Sequence, residues 1–314
     1  MISADMIQIE NLVKRYQDLV ALDHLTLSIK EGEIFGLLGP NGSGKTTAIN
    51  CLLSLLKYDK GTITIFGQNM QPDSYDVKKQ IGVVMQNVAV FEQMSVWENI
   101  DYFCGLYIKD KETRRRLVEE AVRFTGLEDF LKMRPKKLSG GLLRRLNIAC
   151  GIVHKPRLII MDEPTVAVDP QSRNKILEGI LELNRQGSTI IYTSHYMEEV
   201  EQICSRIAII DHGRVLATGT TEELKKMIKT GETITIESIL LDGPLLDGIR
   251  SLPHVFDLIY EDQVLKIRLG TARHNLVRIL SFLQEHDVSF GRVFSELPTL
   301  NDVFLEITGK ELRD

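Results

Sequence analysis

The stretch GPNGSGKTT, Gly39 to Thr47, follows the apolar run EIFGLL and opens directly into KTTAINCLLSLL, which has helical character. It fits the spacing G-x-x-x-x-G-K-[ST], in which glycines let the backbone wrap closely around phosphates. The N–H groups of Gly42, Ser43, Gly44 and Lys45 are predicted to point inward. Lys45 then neutralises the β- and γ-phosphates, and Thr46 places its hydroxyl on Mg²⁺. Gly39, Asn41 and Thr47 belong to the same nucleotide-contacting loop. A strand, a tight glycine loop and a helix in that order constrain the chain to an α/β fold that binds a nucleoside triphosphate.

The rest of the first two-thirds agrees. IFGLLG (34–39), IGVVMQ (81–86), RLIIMD (157–162), TIIYTSH (189–195) and RIAIID (206–211) read as buried strands. Helices follow several of them, as in a sheet covered on both faces. Residues 88–135 break the alternation: VWENIDYFCGLYI and KETRRRLVEEAVRFTGL are both helical, which predicts an inserted helical subdomain. Near Gly219 a second pattern begins. It runs strand (233–239), helix (244–251), strand (255–260), strand (264–269), helix (272–286), strand (288–295), helix (299–308), a βαββαβ order with a tail helix. This predicts a small ferredoxin-like α+β domain over 220–314, after a first domain over 1–219.

RLIIMDEP supplies a second half to the site. Four apolar residues bury a strand, and Asp162 emerges at its C-terminal end, where open α/β sheets bind ligands. Asp162 is expected to hold Mg²⁺, directly or through water. Glu163 beside it is the candidate base for an attacking water. A third stretch, KKLSGGLLRRLNIA, has Ser139 as an N-cap, so the helix that follows presents free N–H groups to an anion.

Composition narrows the remaining classes. Of 314 residues, 43% are hydrophobic and 26% charged, and the net charge of −5 gives no support to a general nucleic-acid binder. The four cysteines, Cys51, Cys104, Cys150 and Cys204, are widely spaced and form neither a metal-ligand pattern nor a disulfide framework, which predicts a reducing compartment. The start, MISADMIQIE, lacks a basic stretch leading into an apolar core, so no signal peptide is expected. No apolar run approaches the roughly 20 residues that span a bilayer.

In this order, the motifs resemble those of the ATPase subunit of an ABC transporter over about 6–219. LSGG (138–141) resembles the signature found in that family. The resemblance implies that Gln86 is the glutamine linking the metal site, and the metal itself, to the helical insert. TVAVDP (165–170) resembles the loop whose aspartate is here Asp169. His195 resembles the histidine that contacts the γ-phosphate, and Tyr16, in VKRYQDLVAL, the aromatic that stacks on adenine. Alone, each of these has an ordinary reading as a strand-end polar group, a helix cap or a core side chain; the ordered set carries the resemblance. Two departures stand out: Leu142 follows LSGG, where the family often has Gln or Met, and Ala167 and Val168 replace its usual glycine and leucine.

The resemblance implies ATP and Mg²⁺ as ligands, with Lys45, Gln86, Glu163 and His195 in catalysis and Thr46, Gln86 and Asp162 around the metal. It implies a dimer with a second ATPase subunit, the same chain or a close homologue, in which Ser139 and the N–H groups of Gly140 and Gly141 of one copy close over the γ-phosphate held by the other, and it counts Asp169 among the nucleotide-binding residues. It also implies a separate membrane permease, with this chain on the cytoplasmic side of the membrane. The ending LPTLNDVFLEITGKELRD (297–314) resembles ATPases of the daunorubicin-resistance type, exporters of drugs, lipids and other compounds. The apolar stripe 300, 303, 304 and 307 on its helix fits packing on its own domain or on a partner. A soluble ATPase of the same family, acting in regulation or on ribosomes or DNA, is the alternative; the acidic charge, the single ATPase domain and the lack of a long coiled coil weigh against it.

Overall fold

Apolar residues two apart, Ile7 and Ile9, then Leu25, Leu27 and Ile29, place one face of each strand inward. The computed structural model describes residues 5–238 and 240–309, and it falls into two units that divide between Thr220 and Thr221. Residue 239 of the expected strand and 310–314 of the expected tail lie outside the described residues, as do 1–4.

In the first unit, strands β1 (Asp5–Tyr16) and β2 (Leu19–Lys30) pair antiparallel. Strand β3 (Ile34–Leu38), buried at all five positions, leads to helix α1 (Lys45–Leu52). Strands β4 (Lys60–Ile65) and β5 (Gln68–Asn69) complete an antiparallel sheet of order β2-β1-β4-β5. None of these four strands is among those singled out from the sequence, and the sheet adds an antiparallel layer to the expected strand–helix alternation. Its strands are half-exposed, so they alternate in polarity and lack the continuous apolar runs by which the parallel strands are recognised. Ala48, Ile49 and Leu52 of α1 join Ile7 and Leu25 of this sheet to Phe35, Ile160 and Ala208 in one buried cluster. The glycine loop is therefore held at its helical end by the centre of the core.

After helix α2 (Tyr75–Lys78) and strand β6 (Ile81–Val84) come the helices of the insert, α3 (Val96–Gly105) and α4 (Lys111–Thr125). Ser95 and Glu98 form a capping box on α3, Asp110 caps α4, and Gly126 ends α4 in the left-handed region. Helix α5 (Gly140–Ile152) packs with them: Leu146 and Ala149 share a core with Val96, Ile100, Val118 and Val122.

The chain then supplies β7 (Leu158–Asp162), α6 (Pro170–Arg185), β8 (Thr189–Thr193), α7 (Met197–Ile203), β9 (Arg206–Asp211) and β10 (Arg214–Gly219). The second sheet has the order β10-β9-β3-β8-β7-β6 and is parallel apart from β10, which forms a hairpin with β9. The C-terminal ends of β3, β6, β7 and β8 thus share one edge. Among the described residues no helix is long and apolar enough to cross a membrane.

The second unit opens with α8 (Thr221–Met227) and continues β11 (Glu232–Ser238), α9 (Gly243–Arg250), β12 (Val255–Glu261), β13 (Val264–Leu269), α10 (Asn275–Glu285), β14 (Phe290–Glu296) and α11 (Leu300–Thr308). The sheet order is β12-β13-β11-β14, antiparallel throughout, which is the ferredoxin-like arrangement. Ile249, Ile279 and Leu283 of its helices cover Ile234, Ile236, Leu265 and Ile267. Helix α10 starts three residues later than expected because His274 takes a left-handed φ of +64°, and Asp287, at +53°, delays β14. The apolar face of α11 turns into its own unit, where Leu300, Val303 and Phe304 are buried and α11 packs on α8. Glu306 fixes that docking by accepting from the Lys229 and Thr230 amides and the Thr230 hydroxyl.

Phe304→Ala removes a fully buried ring and should destabilise the second unit by about 3–5 kcal/mol. Nucleotide affinity should stay within about twofold, since every phosphate-contacting candidate belongs to the first unit. Urea unfolding together with titration of a fluorescent ATP analogue checks both; a large loss of nucleotide binding would contradict the separation.

Candidate active site

Gly44 is where the phosphate loop turns into α1. It has φ +106°, and a Cβ there would lie 2.7 Å from the Ala21 carbonyl oxygen, so only glycine fits. The loop is tied at its middle: the Ser43 amide donates to Pro40, and the Gly213 amide from the β9–β10 turn donates to the Ser43 carbonyl. Lys45 is buried, and its Nζ donates to the carbonyls of Gly39 (2.7 Å) and Pro40 (3.1 Å). Burial lowers its pKa from the ordinary lysine value, while the charges of Glu163 and Asp162 pull it back up. The Ser43 hydroxyl is buried with no hydrogen-bond partner. An orphaned hydroxyl beside a buried ammonium fits an anionic, oxygen-rich ligand such as a triphosphate.

The carboxylates arrive from β7. Asp162 is buried, with its Oδ2 3.5 Å from the Thr46 hydroxyl and its Oδ1 accepting from the Thr193 hydroxyl at 2.6 Å. A hydroxyl and a carboxylate oxygen at this separation are hard donors suited to a small divalent cation. Glu163 adopts a left-handed φ of +48°, and its amide donates to the Thr193 hydroxyl at 2.9 Å. That turn swings its side chain toward Gln86, whose Nε2 donates to Glu163 Oε2 at 2.9 Å. Gln86 does not end β6, as its sequence suggested; the strand stops at Val84 and Gln86 stands two residues beyond it. His195 likewise lies two residues past β8, with Nδ1 3.8 Å from Glu163 Oε1, beyond hydrogen-bond range.

A cleft of about 350 Å³ is lined by Tyr16, Val20, Gly42, Lys45, Thr46, Gln86 and Glu163. Tyr16 is 46% exposed at the end of β1, free to present its face, with Lys14 Nζ 5.0 Å from the ring centroid. The fold thus gathers Tyr16, the loop from Asn41 to Thr47, Gln86 and Glu163 in one place, with Asp162 beneath and His195 alongside.

Ser139, Gly140, Gly141 and Asp169 are not part of this cleft. Ser139 and Gly140 are exposed, and the Ser139 hydroxyl accepts from the Leu142 amide as the cap of α5. Asp169 caps α6 by accepting from the Ser172 amide. The two helix starts touch: a Cβ on Gly141 would lie 2.6 Å from Ser172 Oγ and 3.2 Å from Asp169 Oδ2.

Three contributors escaped the sequence reading. Arg144, buried on α5, donates to the carbonyls of Met85 (3.0 Å) and Glu163 (3.2 Å). Burial lowers its pKa, and the Glu163 and Asp162 charges oppose that. Asn147, one turn on, accepts from the Ala89 amide and donates to Met85. Thr193 holds both Asp162 and Glu163. A charged side chain on the apolar stripe of α5 was the available signal for Arg144; nothing in the sequence pairs Thr193 with residues some thirty positions away.

A loop that cradles phosphates, a strand-end acid pair and an inserted helical subdomain define a P-loop ATPase. A family model described as ABC transporter matches residues 22–166, and one described as ATP-binding protein DrrA1-3-like, C-terminal domain, matches 219–308. The linearmycin resistance ATP-binding protein LnrL of Bacillus subtilis (strain 168) is 39% identical over 98% of this chain and 100% of its own. The daunorubicin resistance ATP-binding protein DrrA3 of Streptomyces coeruleorubidus is 33% identical, covering 98% and 97%. A dimeric structure of the ATP-binding cassette MJ0796 in a post-hydrolysis state, bound to ADP and Pi, aligns with a TM-score of 0.63 at 28% identity over 68% of this chain and 98% of that one. The chain belongs to the ATP-binding subunits of ABC transporters, with a DrrA-like C-terminal domain, and is an ATPase of that type.

Ala167, at the position where a glycine is usual, holds φ at +58°. A left-handed alanine costs about 1–2 kcal/mol, more than the roughly 0.4–1 kcal/mol that glycine adds to unfolded-chain entropy. Ala167→Gly should therefore leave the thermal midpoint unchanged or raise it by up to about 2–4 °C. Differential scanning calorimetry decides; a clear drop would mean the segment draws support from the alanine methyl.

Proposed function

We propose that this protein powers a separate membrane permease as one of two ATPase subunits, exporting a drug, lipid or similar compound. Residues 1–219 hydrolyse ATP, and 220–314 serve as an accessory domain in assembly. The names of the relatives, both resistance ATP-binding proteins, support the export reading. The observation that carries the chemistry is the meeting of Thr46 and Asp162 at 3.5 Å beneath the glycine loop, with Glu163 beside them.

In this reading Tyr16 stacks on adenine, and the amides of Gly42, Gly44 and Lys45 receive the phosphates, while the Ser43 amide, expected to point inward, is instead held by the Pro40 carbonyl. Lys45 exchanges the Gly39 and Pro40 carbonyls for phosphate oxygens, a trade of neutral acceptors for charged ones that strengthens its hydrogen bonds. Thr46, Asp162 and Gln86 hold Mg²⁺, which supplies charge neutralisation along the phosphates. Glu163 takes a proton from the attacking water, and its backbone stays in place because Thr193 and Arg144 hold its amide and carbonyl. His195 faces the γ-phosphate. Ser139 and Gly140 are exposed and, with Gly141 behind them, lie outside the chain's own cleft at a helix start whose N–H groups suit the phosphate bound by a second subunit, with Asp169 beside them.

The same geometry supports a route to the permease. Gln86 contacts Glu163 directly, and its segment is gripped by Arg144 and Asn147 of α5, the helix that Ser139 caps. Movement at the γ-phosphate is thereby passed to the helical insert and to the signature together.

Glu163→Gln should retain ATP affinity and lower turnover by about 10² or more, the range for loss of a general base. It should also accumulate an ATP-bound dimer on gel filtration. Near-normal steady-state ATPase would sink the assignment.

A second test addresses the shared site. Mixing Lys45→Ala chains with Ser139→Arg chains leaves, in each mixed dimer, one site with both lesions and one with neither. Partial ATPase should return relative to either variant alone. Absence of rescue at every ratio would mean either that each loop works with its own chain's signature or that both sites must fire together, and ATP-dependent dimer formation, followed in parallel, separates the two.

A further inference from the structure

Outside the cleft, the first unit buries a second carboxylate that the mechanism above does not use. Glu199, on α7, is 3% exposed. Its Oε2 accepts from three hydroxyls: Tyr192 at 2.6 Å, Thr165 at 2.8 Å and Ser194 at 2.9 Å. All three donors are buried. Burial first, and then the Glu199 charge, push the Tyr192 phenol well above its ordinary value, so it remains a donor. Oε1 faces Arg173 Nε at 3.3 Å without a well-aligned hydrogen bond.

The donors come from the two segments that border the reacting groups. Thr165 lies in the turn from Glu163 to Asp169. Ser194 immediately precedes His195, and its oxygen also accepts from the Tyr196 amide at 3.0 Å, which folds the chain sharply around His195. Arg173 sits on α6, the helix that Asp169 caps, with its guanidinium 4.3 Å from the centroid of Tyr196, whose ring is 4.2 Å from that of His195. One carboxylate thus joins the γ-phosphate histidine to the segment that carries the base at one end and Asp169 at the other.

Burying a carboxylate is costly unless its oxygens are matched, and mere stability is achieved more cheaply by apolar packing at such a place. A buried acceptor with several hydroxyl donors instead fixes the mutual placement of the segments they belong to. We propose that Glu199 is a positioning residue for ATP hydrolysis: by taking Ser194, Thr165 and Tyr192 on one oxygen, it sets where His195 stands relative to Glu163 and Asp169. The proposal rests on the reading of His195 as a γ-phosphate contact.

Because Glu199→Ala leaves three hydroxyls stranded and can fail to fold, the test uses Ser194→Ala and Thr165→Val in the full-length chain, each removing one donor and sparing the carboxylate. ATPase kinetics and equilibrium ATP binding are measured for each, for His195→Ala, and for the Ser194→Ala/His195→Ala double variant. Ser194→Ala should lower kcat by about tenfold, the scale of a small misplacement, with ATP affinity little changed. In the His195→Ala background the same change should cost almost nothing further, because Ser194 acts through His195. Thr165→Val should lower kcat while retaining ATP binding. If the Ser194 and His195 losses multiply, or if Ser194→Ala turns over like the parent while His195→Ala is slow, the inference falls and the site reading stands. If His195→Ala itself keeps full turnover, both fall.

Discussion

Asp162 and Thr193, the last residues of β7 and β8, are paired across the sheet, and the hydroxyl of one donates to the carboxylate of the other. Everything at the site depends on that pairing. The two strands are buried at every position, so their register is fixed by the core, and the residues that run off their ends have little freedom. Thr193 spends its donor on Asp162 and its acceptor capacity on the Glu163 amide. The result is a metal-competent carboxylate facing Thr46 and, one residue later, a left-handed turn that points Glu163 elsewhere. Adjacent acids normally project to opposite faces of a strand; here the strand ends between them, and a positive φ redirects the second along the cleft.

From that fixed point the structure branches in two directions. One runs through Gln86 and the Met85 carbonyl to Arg144 and Asn147, and so to a helix whose N-terminus is capped by the exposed Ser139. The other runs through the turn at Thr165 and Ala167 to Asp169 and α6, whose start lies against Gly141. Both branches end at the same exposed corner. A single chain therefore links its own cleft to the start of α5 by contacts between named side chains and backbone carbonyls rather than by proximity alone.

What could be read in advance followed the range of the interactions. The glycine loop and Asp162 were legible because each is written in a few consecutive residues with a physical requirement: positive φ, a backbone open to phosphates, an apolar run that ends in an acid. The C-terminal βαββαβ order was legible from alternating periods, with ends displaced where His274 and Asp287 take left-handed conformations that no apolar pattern encodes. The antiparallel sheet of β1, β2, β4 and β5 was missed because half-exposed strands carry a weaker signal. The contact of Gln86 with Glu163 spans 77 residues, and only the resemblance to a family singled out Gln86 beforehand. Glu199 had no signal at all, since MEEVEQI offers three acids and only the fold decides which one is buried.

The central claim is that Thr46 and Asp162 form a cation site that exists for the nucleotide. Manganese, which replaces magnesium at such oxygen sites and is seen directly by electron paramagnetic resonance, reads this without relying on turnover. Titration of the full-length chain with Mn²⁺ should reveal tight binding only when ATP is present. Thr46→Val and Asp162→Asn should each weaken it beyond the affinity of ATP alone for the ion, while Glu163→Gln should leave it intact. Unchanged Mn²⁺ binding in Asp162→Asn would contradict the account at its root.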